Sequence, residues 1–193
     1  MHLAATLFAV FFLWFAILVA GVPTWEGLNG GSSIGSLVPG ASYIEALAPV
    51  KDNERQTHHL ALDSPGHPGK LTILPNTKAP PLFYINRNKL WQFNNETSIF
   101  HVNVLNETQS DGYPLQLVVG KKQTGLTGGS WRWRGTMLYY DHGPAGNSGL
   151  YYSCRLADGS YGVFMFLRPS KTPIDCETIT FHSWNRNYIN GHK

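Results

Sequence analysis

The sequence predicts an all-β protein: a single antiparallel β-sandwich or β-barrel of about ten short strands with an irregular N-terminal arm. Three observations carry that reading. Short runs rich in aromatic and β-branched residues alternate apolar and polar positions, the period of a half-buried strand. Twenty glycines and twelve prolines fall largely between those runs, where turns are needed. No segment of the mature chain sustains an amphipathic helical period. Charged residues make up 14% of the 193-residue chain and hydrophobic ones 42%, which suits a packed domain rather than a disordered chain.

The first segment, residues 1–21, reads MHLAATLFAVFFLWFAILVAG and contains no Asp, Glu, Lys or Arg. An apolar core ending in small residues is the pattern of a secretory signal peptide. Val19 and Gly21 supply small side chains for a cut before Val22, and a cut after Ala20 fits as well. The 18 residues from Leu3 to Ala20 could also span a bilayer as an uncleaved anchor. Cleavage is the expectation, because small residues end the segment and a Gly/Ser-rich stretch follows. After cleavage no membrane attachment is expected, and the protein is secreted and extracellular.

Residues 22–70 differ in composition from the C-terminal remainder of the chain. They contain LNGGSSIGSLVPGAS and SPGHPGK and carry a net charge of −2, against +5 for residues 71–193. This segment reads as a flexible arm, with Ser42–Val50 a candidate helical turn and His58, His59 and His67 exposed to solvent. The remainder, 71–193, reads as the all-β domain.

Candidate strands there are 71–74, 82–86, 89–93, 98–105, 115–120, 130–134, 136–141, 149–154, 161–167 and 177–184. Asn86-Arg87-Asn88 and Ala157-Asp158-Gly159-Ser160 read as tight hairpin connections. In YGVFMFL both alternating faces are apolar, so this strand is expected to be central and buried. Trp91, Met165 and Trp184 are expected inside. A trefoil and a lipocalin-like barrel both fit the strand count.

Asn95-Glu96-Thr97 and Asn106-Glu107-Thr108 are N-glycosylation sequons, which have meaning only in the secretory pathway. Two cysteines, Cys154 and Cys176, make an even pair that an oxidising compartment would join in one disulfide.

The chemistry offered by this pattern is thin. The net charge of +3 is too small and scattered to suggest nucleic acid. Glycoside hydrolysis needs two carboxyl groups flanking one bond, and once the acids of the sequons, the Asp158 turn and the cysteine neighbourhood are set aside, Asp111 in a polar turn and Asp141 (with His142) at a strand end are left. No GxSxG elbow, P-loop, GxGxxG, HxH or HExxH pattern is present. The turn GLTGG (125–129) is not a phosphate cradle. No cofactor and no metal site is expected.

The most distinctive stretch is Trp131-Arg132-Trp133-Arg134. On a strand both indoles share one face and both guanidiniums the other. With Tyr139 and Tyr151 on neighbouring strands, the Trp face could form an aromatic platform for the C–H faces of sugar rings. The stronger reading is that the Trp face forms the core and the Arg face meets solvent. Arg132 and Arg134, near Lys121 and Lys122, could bind an anion or simply be solvated.

GGSWRWRGTMLYYD, GLYYSC, YGVFMFL and the closing Cys176 with ETITFHSW resemble small secreted proteins of filamentous fungi, over roughly residues 82–184. The resemblance implies an extracellular all-β protein and brings no catalytic residue with it. The leading functional expectation is therefore a secreted, non-catalytic binding or cell-wall-associated protein. Its expected partner is a cell-wall polysaccharide. The alternatives are a glycan hydrolase using Asp141 or Asp111, and an effector-like module that binds another extracellular protein.

Overall fold

The computed structural model describes residues 40–48, 56–95, 97–106 and 114–183. The signal segment 1–21, Asp111 and Trp184 lie outside the described residues. No helix among the described residues is long and apolar enough to cross a membrane.

The described chain is all β: thirteen strands form one hydrogen-bonded network whose named ladders are antiparallel. They are β1 (Ile44–Leu47), β2 (His58–Leu62), β3 (Gly69–Pro75), β4 (Leu82–Asn86), β5 (Lys89–Asn95), β6 (Ser98–Leu105) and β7 (Leu115–Gly120). Next in the chain come β8 (Ser130–Arg134), β9 (Met137–His142), β10 (Ala145–Gly146), β11 (Leu150–Arg155), β12 (Tyr161–Met165) and β13 (Cys176–Ser183). The sequence places β4, β6, β7 and β8 at their observed boundaries, and β7 and β8 bury one face while the other faces outward.

Turn chemistry sets the hairpin registers. Asn86 pairs with Lys89, and Arg87 and Asn88 between them take φ of 49° and 61°. Two consecutive left-handed residues are what a type I′ hairpin requires. In the β11–β12 connection Asp158 Oδ1 accepts from Ser160 N at 2.9 Å, and Gly159 takes the left-handed φ of 81°. Lys70 Nζ donates to Asp158 Oδ2 at 2.8 Å, tying this hairpin to β3. Held by that ammonium, the Asp158 carboxyl sits well below the usual carboxylate range.

The network closes on itself. β7 gives one edge to β6 and divides the other: Leu115 and Gln116 face β12, whereas Val118 and Val119 face β3. β13 pairs with β1 on one edge and with β11 and β9 on the other. Pairing therefore runs β1–β2–β3–β7–β12–β11–β13 and back to β1, a barrel-like circuit. A bridge between Ser42 and Phe83, with N–H···O distances of 2.9 Å in both directions, joins the outer edge of β4 to the start of β1.

The segment expected to be an irregular arm thus supplies β1, β2 and the start of β3. Ile44 is fully buried, and Leu60, Leu62 and Leu71 join the same core. Ser42–Val50 is not a helical turn where it is described. Glu and Ala are poor strand formers, so IEAL carries little local β preference. Pairing on both edges overrides it. His59 is buried, 3.9 Å from Glu45 Oε1 and edge-on to Tyr43.

The main core includes Phe83, Leu117, Leu138, Met165 and Phe181. β12 is central as expected: Val163 and Met165 enter this core, while Phe164 packs with Tyr152, Phe166 and Cys154 in a second cluster. Buried tyrosines keep partners, Tyr140 donating to Leu126 O at 3.1 Å and Tyr151 to Leu138 O at 3.2 Å. Burial pushes the Tyr140 phenol up to about 12, and that of Tyr151 higher still. Gly129 belongs to this packing, since a Cβ there would lie 1.8 Å from the Tyr140 hydroxyl. Cys154 and Cys176 are direct cross-strand partners with their sulfurs 2.06 Å apart. By the chain-entropy model, closing that loop contributes on the order of 3 kcal/mol.

Candidate functional site

The Trp-Arg strand behaves as β geometry demands, and that divides the expected platform. In β8, Trp131 is 2% exposed and packs on Tyr140 with ring centroids 4.8 Å apart. Trp133 is half-buried against the same core. Tyr151 is fully buried and lies 4.5 Å from Phe181. Arg132 and Arg134 turn outward with Tyr139, which pairs directly with Arg132. Trp131, Trp133 and Tyr151 therefore line or border the core, and Tyr139 lies on the opposite face. The four rings do not form one exposed aromatic surface.

The outward side of that hairpin is a salt-bridged surface. Arg132 Nε donates to Asp141 Oδ2 at 2.5 Å, and its guanidinium carbon sits 4.9 Å from the Tyr139 ring centre. Asp141 is thus paired with an arginine while its side chain stays exposed. Lys121 and Lys122 are exposed. Among the described residues no group of three His, Cys, Asp or Glu side chains could hold a metal ion.

A different aromatic surface emerges on the β4–β5–β6 meander. Phe83, Leu90, Phe100 and Val102 enter the core, so Tyr84, Trp91 and His101 occupy the alternate, outward positions. Register sets them side by side: Tyr84 pairs with Trp91, and Trp91 with His101. The Tyr84 and Trp91 rings lie 6.4 Å apart at an interplanar angle of 11°; Trp91 and His101 are 4.0 Å apart. Tyr84 is largely covered, whereas Trp91 and His101 are half-exposed. The next pair along, Phe93 with Ile99, continues the outward apolar row, and Ile99 is exposed.

Sequence reasoning places Trp91 inside, and the structure reverses it. In KLWQF the inward positions fall to Leu90 and Gln92, so a polar amide enters the interior while the indole leaves it. Gln92 is 2% exposed and donates from Nε2 to Phe93 O at 2.7 Å; its Oε1 has no hydrogen-bond partner among the described residues. The pairing of Trp91 with Tyr84 across a type I′ hairpin is the usable signal, because that turn fixes which residues face each other.

Lys89 borders the row, its Nζ donating to Thr127 O at 2.5 Å and Gly129 O at 2.8 Å. Burial, and secondarily the Lys89 charge, hold the His101 imidazole below its ordinary value of 6.5. The folded ring thus releases its proton more readily than the unfolded one. Its contribution to stability is present above 6.5 and is lost as pH falls from there through the folded value. In an NMR titration His101 should show its midpoint below 6.5, and Lys89→Ala should raise that midpoint only partway, since burial is the larger cause.

Compared with known proteins, the chain matches no protein-family model, no curated protein and no solved structure. Its function is therefore argued from the geometry of this surface.

The sequons flank the same meander. Asn95 is exposed at the β5–β6 turn, where its Oδ1 accepts from Thr97 N and Thr97 Oγ1, both at 3.0 Å. Asn106, half-buried, comes directly after β6, and the rest of its sequon lies outside the described residues.

Proposed function

We propose that this chain is a secreted, non-catalytic binding protein with carbohydrate as its favoured ligand class, and that it engages the ligand through Trp91 and His101, with the covered Tyr84 ring supporting Trp91. The carrying observation is the cross-strand row of three rings on the outward face of the β4–β5–β6 meander. Aromatic faces take the apolar C–H faces of sugar rings, and a row across adjacent strands suits an extended chain of them. Asn86 at the turn adds an exposed amide within the same meander.

Secretion is supported by the apolar segment 1–21 and by the Cys154–Cys176 pair. Glycosylation at Asn95 is supported by its exposed turn and by the threonine hydroxyl already on its side-chain oxygen. Of the carboxyl groups a glycan hydrolase would use, Asp141 is paired with Arg132 and Asp111 lies outside the described residues.

The test is retention of the secreted protein on insoluble chitin, β-glucan, mannan and cellulose. Trp91→Ala, folded by circular dichroism, should lose retention on the polymer that holds the wild type. Retention unchanged in that variant, or no retention of the wild type on any polymer, would refute the reading. The latter result would favour an extracellular protein partner.

A further inference from the structure

Beside the aromatic row lies a cavity that the proposed binding surface does not use. It holds about 340 Å³ and is bounded by Ala61 and Leu74 of β2 and β3, Leu82 and Phe93 of β4 and β5, and Pro80 and Pro81 between them. We infer that this cavity is a second binding site, for a small, uncharged and mainly apolar molecule.

Four observations point there. The volume falls within the range of about 300–1,000 Å³ that small-molecule pockets occupy. No Asp, Glu, Lys, Arg or His is among the lining residues, so an ionic ligand would lose its hydration with no opposite charge to meet it. The polar groups that do line it are neutral, the Thr77 hydroxyl and the Asn94 amide among them. They can orient a ligand that carries a hydroxyl or N–H without demanding a charge. Finally, Pro65, Pro80 and Pro81 stiffen the wall. A proline ring fixes its own φ and restricts the residue before it, so little conformational entropy is lost when a ligand enters.

The placement results from strand alternation. Leu60, Leu62 and Ile73 belong to or pack against the main core, so Ala61 and Leu74 face the other side of β2–β3. Leu82 and Phe93 are direct cross-strand partners and share the outward side of their hairpin with Tyr84 and Trp91. The cavity thus sits at the margin of the core, behind the 77–81 connection, and reaches inward to Leu62 and Gln92. It does not depend on the ring row binding anything.

The experiment uses two probes on one carbon frame: uncharged N-phenyl-1-naphthylamine and its sulfonated relative 1-anilinonaphthalene-8-sulfonate, each titrated by fluorescence into the full chain. The neutral probe should bind saturably at one site, and the sulfonate on the order of tenfold more weakly or worse. Ala79→Trp, at an exposed lining position, and Leu74→Trp, within the wall, should each abolish neutral-probe binding while circular dichroism stays unchanged. Trp91→Ala should leave it unaltered, which separates failure of this site from failure of the aromatic row. The absence of saturable binding, equal binding of both probes, or full binding by a folded Ala79→Trp protein would each overturn the inference.

Discussion

Trp131→Ala is expected to cost about 3–5 kcal/mol of folding free energy, the range for truncating a buried large aromatic. The indole is 2% exposed and packs against Tyr140 inside the main core. Its removal forfeits the transfer term and leaves a cavity that the β8–β9 hairpin cannot easily close. That hairpin is anchored by Trp131 N donating to Asn88 O at 2.8 Å and by Tyr140 donating to Leu126 O. Domains of this kind are stable by roughly 5–15 kcal/mol, so the loss would consume a large part of the total. Urea unfolding should show a lower midpoint with an unchanged slope. Trp91→Ala, which removes a half-exposed ring, should shift the midpoint much less. If the two variants behaved alike, or Trp131→Ala cost less than about 1 kcal/mol, the division of the two tryptophans between core and surface would be wrong.

That contrast shows where sequence is informative. SWRWR says that both indoles share a face but not which face is buried, because alternation gives parity and not side. The neighbours resolve it: Trp131 pairs with Tyr140, a core residue, and Arg132 with Tyr139, an outward one. In KLWQF the same parity misleads, since a single inward glutamine puts the large aromatic outside. Strands whose β-branched and aliphatic runs end at turn residues, such as LQLVVG and SIFHVNVL, are legible to their ends. Those whose β structure depends on partners far along the chain are not. HHLAL is buried on nearly every residue, yet it stands in a Gly/Pro/polar context that reads as loop. Gln92 belongs to the same class of miss. Its direct cross-strand partners are Phe83 and Phe100, both buried, and its Oε1 has no hydrogen-bond partner among the described residues.

Removing residues 1–55 is expected to abolish cooperative folding, the largest effect foreseen for this chain. β1 is four residues long, yet Ile44 and Ala46 are buried and all four residues pair with β13, while Glu45 and Ala46 also pair with β2. Ser42 bridges β4 as well. Truncating Ile44 alone to alanine should cost about 2–5 kcal/mol. Deleting the strand adds the unpaired edges of β13, β2 and β4, which would expose backbone donors and acceptors now hydrogen-bonded to one another. It also opens the circuit that β1 completes and uncovers Leu60, Leu62 and Phe181 behind it. Thermal unfolding monitored by circular dichroism, together with resistance to a nonspecific protease, would decide the matter. A sharp transition in the truncated chain would make β1 a dispensable strap on a domain that begins near residue 56. A broad, non-cooperative transition with rapid cleavage would make it an integral stave, leaving the low β propensity of IEAL as a measure of how much tertiary pairing can impose on a short segment.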